Sequence, residues 1–185
     1  MTFEQVRWTS DMVHHLPDDG NRYEVVDGAL LVSRAPESPH RRAIQRLFLL
    51  LYPYLAAHGI GTAIWAPAEV EFDSENLVGP DLFVVPFVDG REPHSWAETD
   101  RLILAVEVLS PSTNDVDRLV KRRLYQRRHV PEYWMVDLDV RTIERWRPED
   151  THPAIAADRL DWQPRPSAPP LKINVIAYFG TVLGE

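Results

Sequence analysis

Two acidic residues lie at the ends of apolar segments in the middle of the chain, where their carboxylates could share a metal ion. Asp81 precedes the apolar segment 82–86, and Glu107 lies near the end of the apolar segment 102–109. If these segments are neighbouring antiparallel strands, the start of one lies beside the end of the other. Mg²⁺ takes oxygen ligands from one or two carboxylates, water and substrate phosphate, and a metal so held can activate water against a phosphodiester.

Each acid alone has a simpler interpretation, either as an exposed residue at a strand end or as one half of an ion pair with an arginine. A carboxylate at the tip of a buried strand costs desolvation free energy unless it is paired or binds a cation. The expected convergence of two such carboxylates is therefore what favours a metal site.

A lysine on the second predicted helix could complete this constellation. Asp117, Lys121 and Tyr125 recur at every fourth residue, so they share one flank of the helix. The predicted apolar stripe beside them consists of Val116, Leu119, Val120 and Leu124. Lysine is scarce here, since 18 of the 20 basic residues are arginines. An ammonium group over the sheet edge could orient the attacking water or stabilise developing charge.

Turn and cap signals predict the elements that position these residues. Asp27-Gly28 lies between two apolar segments and predicts a hairpin over residues 22–33. Ser38 then caps a helix that ends at Gly59 and buries one apolar stripe. Ser112 caps the second helix, with Asp115 as its capping-box partner.

The remaining segments predict strands, two of them covered on both faces. These strands lie at residues 61–66, 68–73, 81–86, 102–109, 132–136 and 141–146. Residues 148–170 are proline-rich, with a possible strand at 154–162, and residues 171–179 end as a strand or short helix. The order predicts a single α/β (α+β) domain over residues 1–185, with a mixed central sheet flanked by two main helices.

Composition narrows the class of protein. The chain has no cysteine, which excludes disulfides and thiolate chemistry, and no apolar run long enough to span a membrane. The N-terminal segment MTFEQVRWTSDM lacks the features of a signal peptide, so a cytoplasmic protein is expected. The net charge of −8 argues against a generally basic nucleic-acid-binding surface. Residues 118–128 nevertheless carry six cations and no anion, either as a docking face for a polyanion or as a solvated helix.

The same residues resemble those of the Uma-type family of restriction endonucleases, within the PD-(D/E)xK nuclease superfamily. The resemblance rests on Pro80-Asp81, on E-V-L-S-P-S-T from Glu107, on D-x-x-x-K-x-x-x-Y from Asp117 and on V-P-E-Y-W-M-V-D from Val130. It spans about residues 23–146. One departure is His129, at a position where family members often have glycine.

The resemblance implies a restriction-endonuclease-like fold and a nuclease that uses Mg²⁺ or Mn²⁺. Asp81, Glu107 and the Val108 carbonyl would hold the metal. The superfamily places a lysine two residues after the glutamate, where this chain has Leu109. The family match implies that this lysine has migrated to Lys121.

Three further residues receive accessory roles. The Y-E-V-V-D-G match implies that Glu24 borders the site, and the P-H-R-R-A-I match points to His40 in the first turn of the first helix. Tyr125 would orient Lys121 or contact phosphate.

DNA is the expected partner, bound through the arginines of the basic segment, and RNA or another phosphate ester remains open. The arginines concerned are Arg118, Arg122, Arg127 and Arg128. A homodimer is expected, because two sites related by a two-fold axis suit cleavage of both strands. The alternative is a catalytically inactive nuclease-fold module that binds nucleic acid or protein.

Overall fold

A mixed six-stranded sheet runs through the protein, whose computed structural model describes residues 6–34 and 38–185. From one edge to the other its strands are β10 (Ala154–Ala156), β9 (Thr142–Trp146), β8 (Glu132–Asp137), β7 (Leu104–Val108), β6 (Leu82–Pro86) and β3 (Gly61–Trp65). Only β7 and β8 run parallel among these neighbours. The chain must therefore cross over between them, and the second predicted helix makes that crossover.

A second, four-stranded sheet lies on one face of the first. Its order is β2 (Ala29–Arg34), β1 (Asn21–Val26), β5 (Asn76–Val78) and β4 (Val70–Asp73). The predicted hairpin joins β1 to β2 through Asp27 and Gly28, whose φ angles of 52° and 76° are both left-handed. Positive φ at both central residues is what the predicted Asp-Gly turn requires.

The other face of the central sheet packs against helices and a small sheet. The helix α2 (Ser38–Ala57) buries Ala43, Ile44, Leu47, Leu51 and Leu55 along one stripe. Beside it lie α4 (Val175–Leu183) and the strand pair β11 (Arg159–Trp162) and β12 (Leu171–Asn174). A short helix α1 (Ser10–His14) precedes the hairpin, and a 3₁₀ turn spans Trp96–Glu98.

Residues along β6 and β7 alternate between the two cores. Leu82 and Val106 pack with α2 and α4, whereas Phe83 and Ala105 face the four-stranded sheet and the crossover helix. Since the side-chain period of a strand is two, odd-numbered positions of both strands share the second face. Asp81 and Glu107 are odd-numbered, and β6 and β7 are antiparallel with Leu82 opposite Val106. The two acids therefore lie at the same end of these neighbouring strands and on the same face of the sheet, as predicted.

The crossover helix contains a widened turn that reverses part of the prediction. A π-helical segment, Val116–Lys121, runs directly into α3 (Arg122–Arg127). The Arg122 amide donates to the carbonyl of Asp117, five residues back. Asp117 and Lys121 are buried at 1% and 2% exposure, whereas Leu119 is 53% exposed. The predicted stripe was wrong at Leu119, because Asp117, Lys121 and Leu124 form the buried side of the helix and Leu119 lies opposite them.

The fold class is confirmed, whereas several details differ from the predictions. The helix begins at Asn114, whose amide donates to the Ser110 carbonyl, so the predicted Ser112–Asp115 capping box is wrong. The short strand β5 was not predicted, and the possible strand at 154–162 appears as two strands, β10 and β11. Across residues 6–34 and 38–185, no helix has the length and apolar character needed to cross a bilayer.

The two sides of the crossover helix predict different stability losses for two of its leucines. Leu124→Ala should lower the free energy of unfolding by about 3 kcal/mol, because it leaves a cavity in a fully buried position. Leu119→Ala should change it by no more than about 0.5 kcal/mol, because that side chain faces solvent. Urea denaturation of both variants measures the difference, and equal losses would contradict the assigned helix face.

Candidate active site

A cavity of about 630 Å³ opens at the end of the central sheet where β6 begins and β7 ends. It is lined by residues of six segments: the hairpin, the start of α2, the segment after β7, the crossover helix, the β8–β9 turn and the end of α4. They include Arg22, Arg34, His40, Asp81, Glu107, Asp117, Lys121, Asp139 and Leu183, with the loop residues Leu109–Thr113.

Asp81 is held at the cavity by three donors. The Arg22 guanidinium donates from Nη1 to Oδ1 at 3.1 Å, and His40 Nε2 lies 2.9 Å from Oδ2. The Val108 amide also donates to Oδ2, at 2.9 Å. Burial alone would raise the pKa of Asp81, but the hydrogen bond and charge of His40, with Arg22, lower it below the ordinary value. Asp81 is thus a fixed, ionised carboxylate.

Lys121 stands among three carboxylates. Its Nζ lies 2.9 Å from Glu107 Oε1, 2.9 Å from Glu24 Oε2 and 3.5 Å from Asp117 Oδ1. Its burial would lower the pKa of Lys121, but Glu107, Glu24 and Asp117 raise it well above the ordinary value. The lysine is therefore charged, with two carboxylate oxygens at 2.9 Å and a third at 3.5 Å.

One ammonium group cannot neutralise all of its acidic neighbours. Burial raises the pKa of Glu107 well above the ordinary value, and the nearby charges of Asp117, Asp81 and Glu24 outnumber the opposing Lys121. Burial likewise raises the pKa of Asp117 to about 6, although Lys121 and the Thr113 hydroxyl oppose the shift. The site therefore favours gaining positive charge, either as protons or as a bound cation.

Two tyrosines and an amide complete the support of the cluster. Tyr125 is fully buried and donates weakly to Glu107 Oε1 at 3.4 Å, and the Tyr133 hydroxyl donates to the Asp117 carbonyl at 3.3 Å. The Gly79 amide donates to Glu24 Oε1 at 2.7 Å, which leaves Oε2 for Lys121. Glu24 thus joins the four-stranded sheet to the crossover helix.

The structure brings the predicted site residues together. Lys121 reaches Glu107 from the buried side of the crossover helix, which it shares with Asp117 and Tyr125. Glu24, His40 and Tyr125 all contact another member of the site. Val108 takes part through its amide, whereas a metal-binding role of its carbonyl stays a prediction.

Four arginines of the basic segment lie apart from this cavity, although Lys121 of the same segment lines it. Arg118 pairs with Glu144 and Asp137, Arg127 with Asp27, and Arg128 with Asp73. Arg122 stacks over the Trp146 ring, 4.6 Å from its centroid. None of the four arginines is among the residues that line the cavity in the described part of the chain. Binding of nucleic acid by them stays a prediction that the site geometry does not support.

Sequence reasoning missed two contributors, Arg22 and the Asp117 carboxylate. Arg22 lies two positions before Glu24 on β1, so strand alternation places both on one face. Asp117 was seen in the four-residue periodicity but received no role of its own. Its Oδ1 is buried and makes no hydrogen bond within residues 6–34 and 38–185, apart from the 3.5 Å approach of Lys121.

The donor set suits a hard divalent cation in chemistry and charge. Four buried carboxylates face two permanent cations, Arg22 and Lys121, together with His40. Among the described residues, no three His, Asp or Glu side chains already form a set of metal ligands. Mg²⁺ needs only one or two carboxylates besides water and phosphate, so the pair Asp81 and Glu107 suffices.

Comparisons with known proteins show the family and the fold of the chain. The model of the Uma2 family, described as “Putative restriction endonuclease”, matches residues 10–175. Solved structures also match, among them the crystal structure of a “putative nuclease belonging to DUF820” from Anabaena variabilis ATCC 29413, with a TM-score of 0.71 and 17% identity. That match covers 94% of this chain and 98% of the other and shows the same fold. No curated protein sequence matches the chain.

The raised pKa of Asp117 predicts a specific pH dependence of stability. Between about pH 4 and pH 6 the folded state binds more protons than the unfolded state, so wild-type stability falls as pH rises through this window. Asp117→Asn removes this contribution. The free energy of unfolding of the variant relative to wild type should therefore rise by on the order of 2 kcal/mol from pH 4 to pH 7.

Denaturation in EDTA at each pH measures this difference. Asp115→Asn is the matched control, because Asp115 is exposed on the same helix and its replacement should follow the wild type. A difference between Asp117→Asn and wild type that does not change with pH would contradict the burial of a titrating carboxylate.

Proposed function

The chain belongs to the Uma2 family, and we propose that it is a metal-dependent nuclease that hydrolyses phosphodiester bonds, with DNA as its main substrate. We propose further that residues 1–185 form one nuclease domain. The observation that carries the proposal is the meeting of Asp81, Glu107 and Lys121 at one cavity. These are the residue types of the superfamily motif, with the lysine supplied by a different element.

Asp81, Glu107 and the Val108 carbonyl would hold Mg²⁺ or Mn²⁺. A cation bound there supplies a Lewis acid and an activated water. Asp81 is already ionised, and ion pairs with Arg22 and His40 hold its carboxylate in place. Both carboxylates line the cavity, so a phosphodiester that enters it can approach them.

The protein's own groups orient the reactants. Lys121 and Tyr125 fix the Glu107 carboxylate by contacts at 2.9 Å and 3.4 Å. Lys121 supplies positive charge near the phosphate, where negative charge grows as water attacks phosphorus and the ester oxygen leaves. Glu24 acts as an outer acid that holds Lys121, and His40 positions Asp81.

An inactive nuclease-fold module is the alternative. Loss of catalysis would remove the reason to retain four buried carboxylates, because a buried ion cluster is often less stable than apolar residues of similar size. The complete cluster therefore favours an enzyme. RNA and other phosphate esters share the same chemistry, and the substrate panel below distinguishes them from DNA.

Purified protein should cleave DNA only with a divalent cation. The assay compares supercoiled plasmid, linear duplex, single-stranded DNA and RNA with Mg²⁺ or Mn²⁺ and with EDTA. Glu107→Gln should reduce turnover on the order of 10²-fold or more while the protein stays folded, because glutamine resembles the protonated acid. Glu69→Gln, the same change at an exposed position outside the cavity, should keep the wild-type rate.

The lysine assignment has its own matched pair. Lys121→Met should lower turnover on the order of 10²-fold, and Lys172→Met, which removes the only other lysine from an exposed strand position, should not. Rates are compared below the melting temperature of each variant, because removing a buried partner also costs about 3–5 kcal/mol of stability. Metal-independent cleavage, or full activity of Glu107→Gln, would refute the proposed function.

We also propose a homodimer, and we assign its interface to exposed apolar side chains. Trp134, Trp146 and Trp162 are buried and cannot form it. An exposed apolar patch instead joins α2 to β3, where Tyr52 and Trp65, 42% and 50% exposed, line the same surface depression. Light scattering at micromolar concentration should show a dimer that Trp65→Glu dissociates. A monomer at all concentrations would contradict the proposal.

A further inference from the structure

A nuclease with this cavity must hold a phosphate beside an excess of carboxylates. Every phosphodiester group carries a negative charge, and proteins bind it mainly through arginine and lysine donors. Four cationic or potentially cationic side chains line the cavity within the described residues: Arg22, Arg34, His40 and Lys121. Which of them still has donors for a substrate can be read from their contacts.

Lys121 and His40 are already engaged. The three N–H bonds of Lys121 Nζ face Glu107, Glu24 and Asp117. His40 directs Nε2 to Asp81, and its Nδ1 is buried away from solvent. Neither side chain can take up a phosphate without leaving a carboxylate of the site unpaired, which is costly in a buried position.

Arg22 is anchored through only one of its nitrogens. Nη1 donates to the Gly79 carbonyl at 3.0 Å and to Asp81 Oδ1 at 3.1 Å, which uses both of its hydrogens. Nε and Nη2 keep three N–H donors that make no hydrogen bond to residues 6–34 or 38–185. The side chain is 25% exposed, so the guanidinium is fixed on one edge and accessible from the cavity. A planar donor group held in this way suits phosphate oxygens.

Arg34 provides a second cation on the same hairpin. It ends β2, lines the cavity and has no ion-pair partner in the described part of the chain. Ser33, its neighbour, lies directly opposite Arg22 in the strand register and also lines the cavity. The hairpin thus presents two arginines and a hydroxyl to the cavity.

We propose that Arg22 and Arg34 form the subsite that binds the substrate's phosphodiester backbone. This assignment rests on the proposed nuclease function. It makes the hairpin, rather than the arginines of the basic segment, the main contact with the substrate. The helix arginines bind Asp27, Asp73, Asp137 and Glu144 of their own chain, and they do not line the cavity. The substrate backbone would then run along the β1–β2 hairpin.

Binding can be measured without cleavage by using Glu107→Gln as the parent. Fluorescence anisotropy with a labelled DNA duplex and Mg²⁺, repeated between about 50 and 200 mM NaCl, gives the affinity and its salt dependence. Adding Arg22→Gln should weaken binding on the order of 10-fold. Adding Arg34→Gln should weaken it about 3-fold, and each change should reduce the salt slope by about 0.9.

The matched controls are Arg127→Gln and Arg128→Gln on the basic helix, which should leave affinity and slope nearly unchanged. Since Arg22 also holds Asp81, Arg34→Glu provides a test at an exposed position where folding is not at risk. Its charge reversal should weaken binding more than Arg34→Gln does.

The outcomes separate the subsite from the function. Full affinity in the Arg22 and Arg34 variants, larger losses in the helix controls, or no binding by the parent at about 50 mM NaCl would overturn the subsite. Absence of metal-dependent cleavage by the wild type would refute the nuclease function, whichever arginines bind DNA.

Discussion

A single buried ammonium group, that of Lys121, holds together segments that lie far apart in the sequence. Glu24 comes from β1, Glu107 from β7, and Asp117 from the helix that carries the lysine. Without Lys121 each would be a buried acid with less compensation, and breaking a buried pair costs several kcal/mol. The four-stranded sheet, the central sheet and the crossover helix are therefore tied at one point. The cavity lies against that point, so its shape depends on the same contacts.

The cluster is better explained by chemistry than by stability. A core that only had to stay folded would fill this space with apolar side chains, as it does on the opposite face around Leu82 and Val106. Here acids exceed the permanent cations, and the raised pKa values of Glu107 and Asp117 express that excess. Proteins bury charged side chains against the usual preference mainly at functional sites. The excess negative charge is what the proposed divalent cation would compensate.

Sequence patterns predicted the carboxylate pair well, because two short-range rules determine it. Strand alternation and antiparallel neighbours suffice to place Asp81 and Glu107 together, and the Asp-Gly turn predicted the hairpin that carries Glu24. The four-residue spacing also predicted that Asp117, Lys121 and Tyr125 share one side of the crossover helix, whereas the π segment within that helix left no signal in the sequence. The pairing of the basic helix with its own acids was also hidden, since Asp27 lies 100 residues from Arg127. His129, where α3 ends, has a φ angle of 52°, the left-handed conformation that glycine usually supplies at a helix end.

The widened turn also determines where the chain can change length. Loss of one residue between Asp117 and Tyr125, with the widened turn retained, would rotate the segment before it by about 100° relative to α3. Asp117 and Tyr125 could then no longer face the same cluster. The segment looks permissive, since Leu119 points to solvent, yet its residue count sets the register of the site. Insertions and deletions between functional relatives should therefore concentrate in the connections at 87–103 and 147–153. They should be rare in this helix, although one of its sides faces solvent.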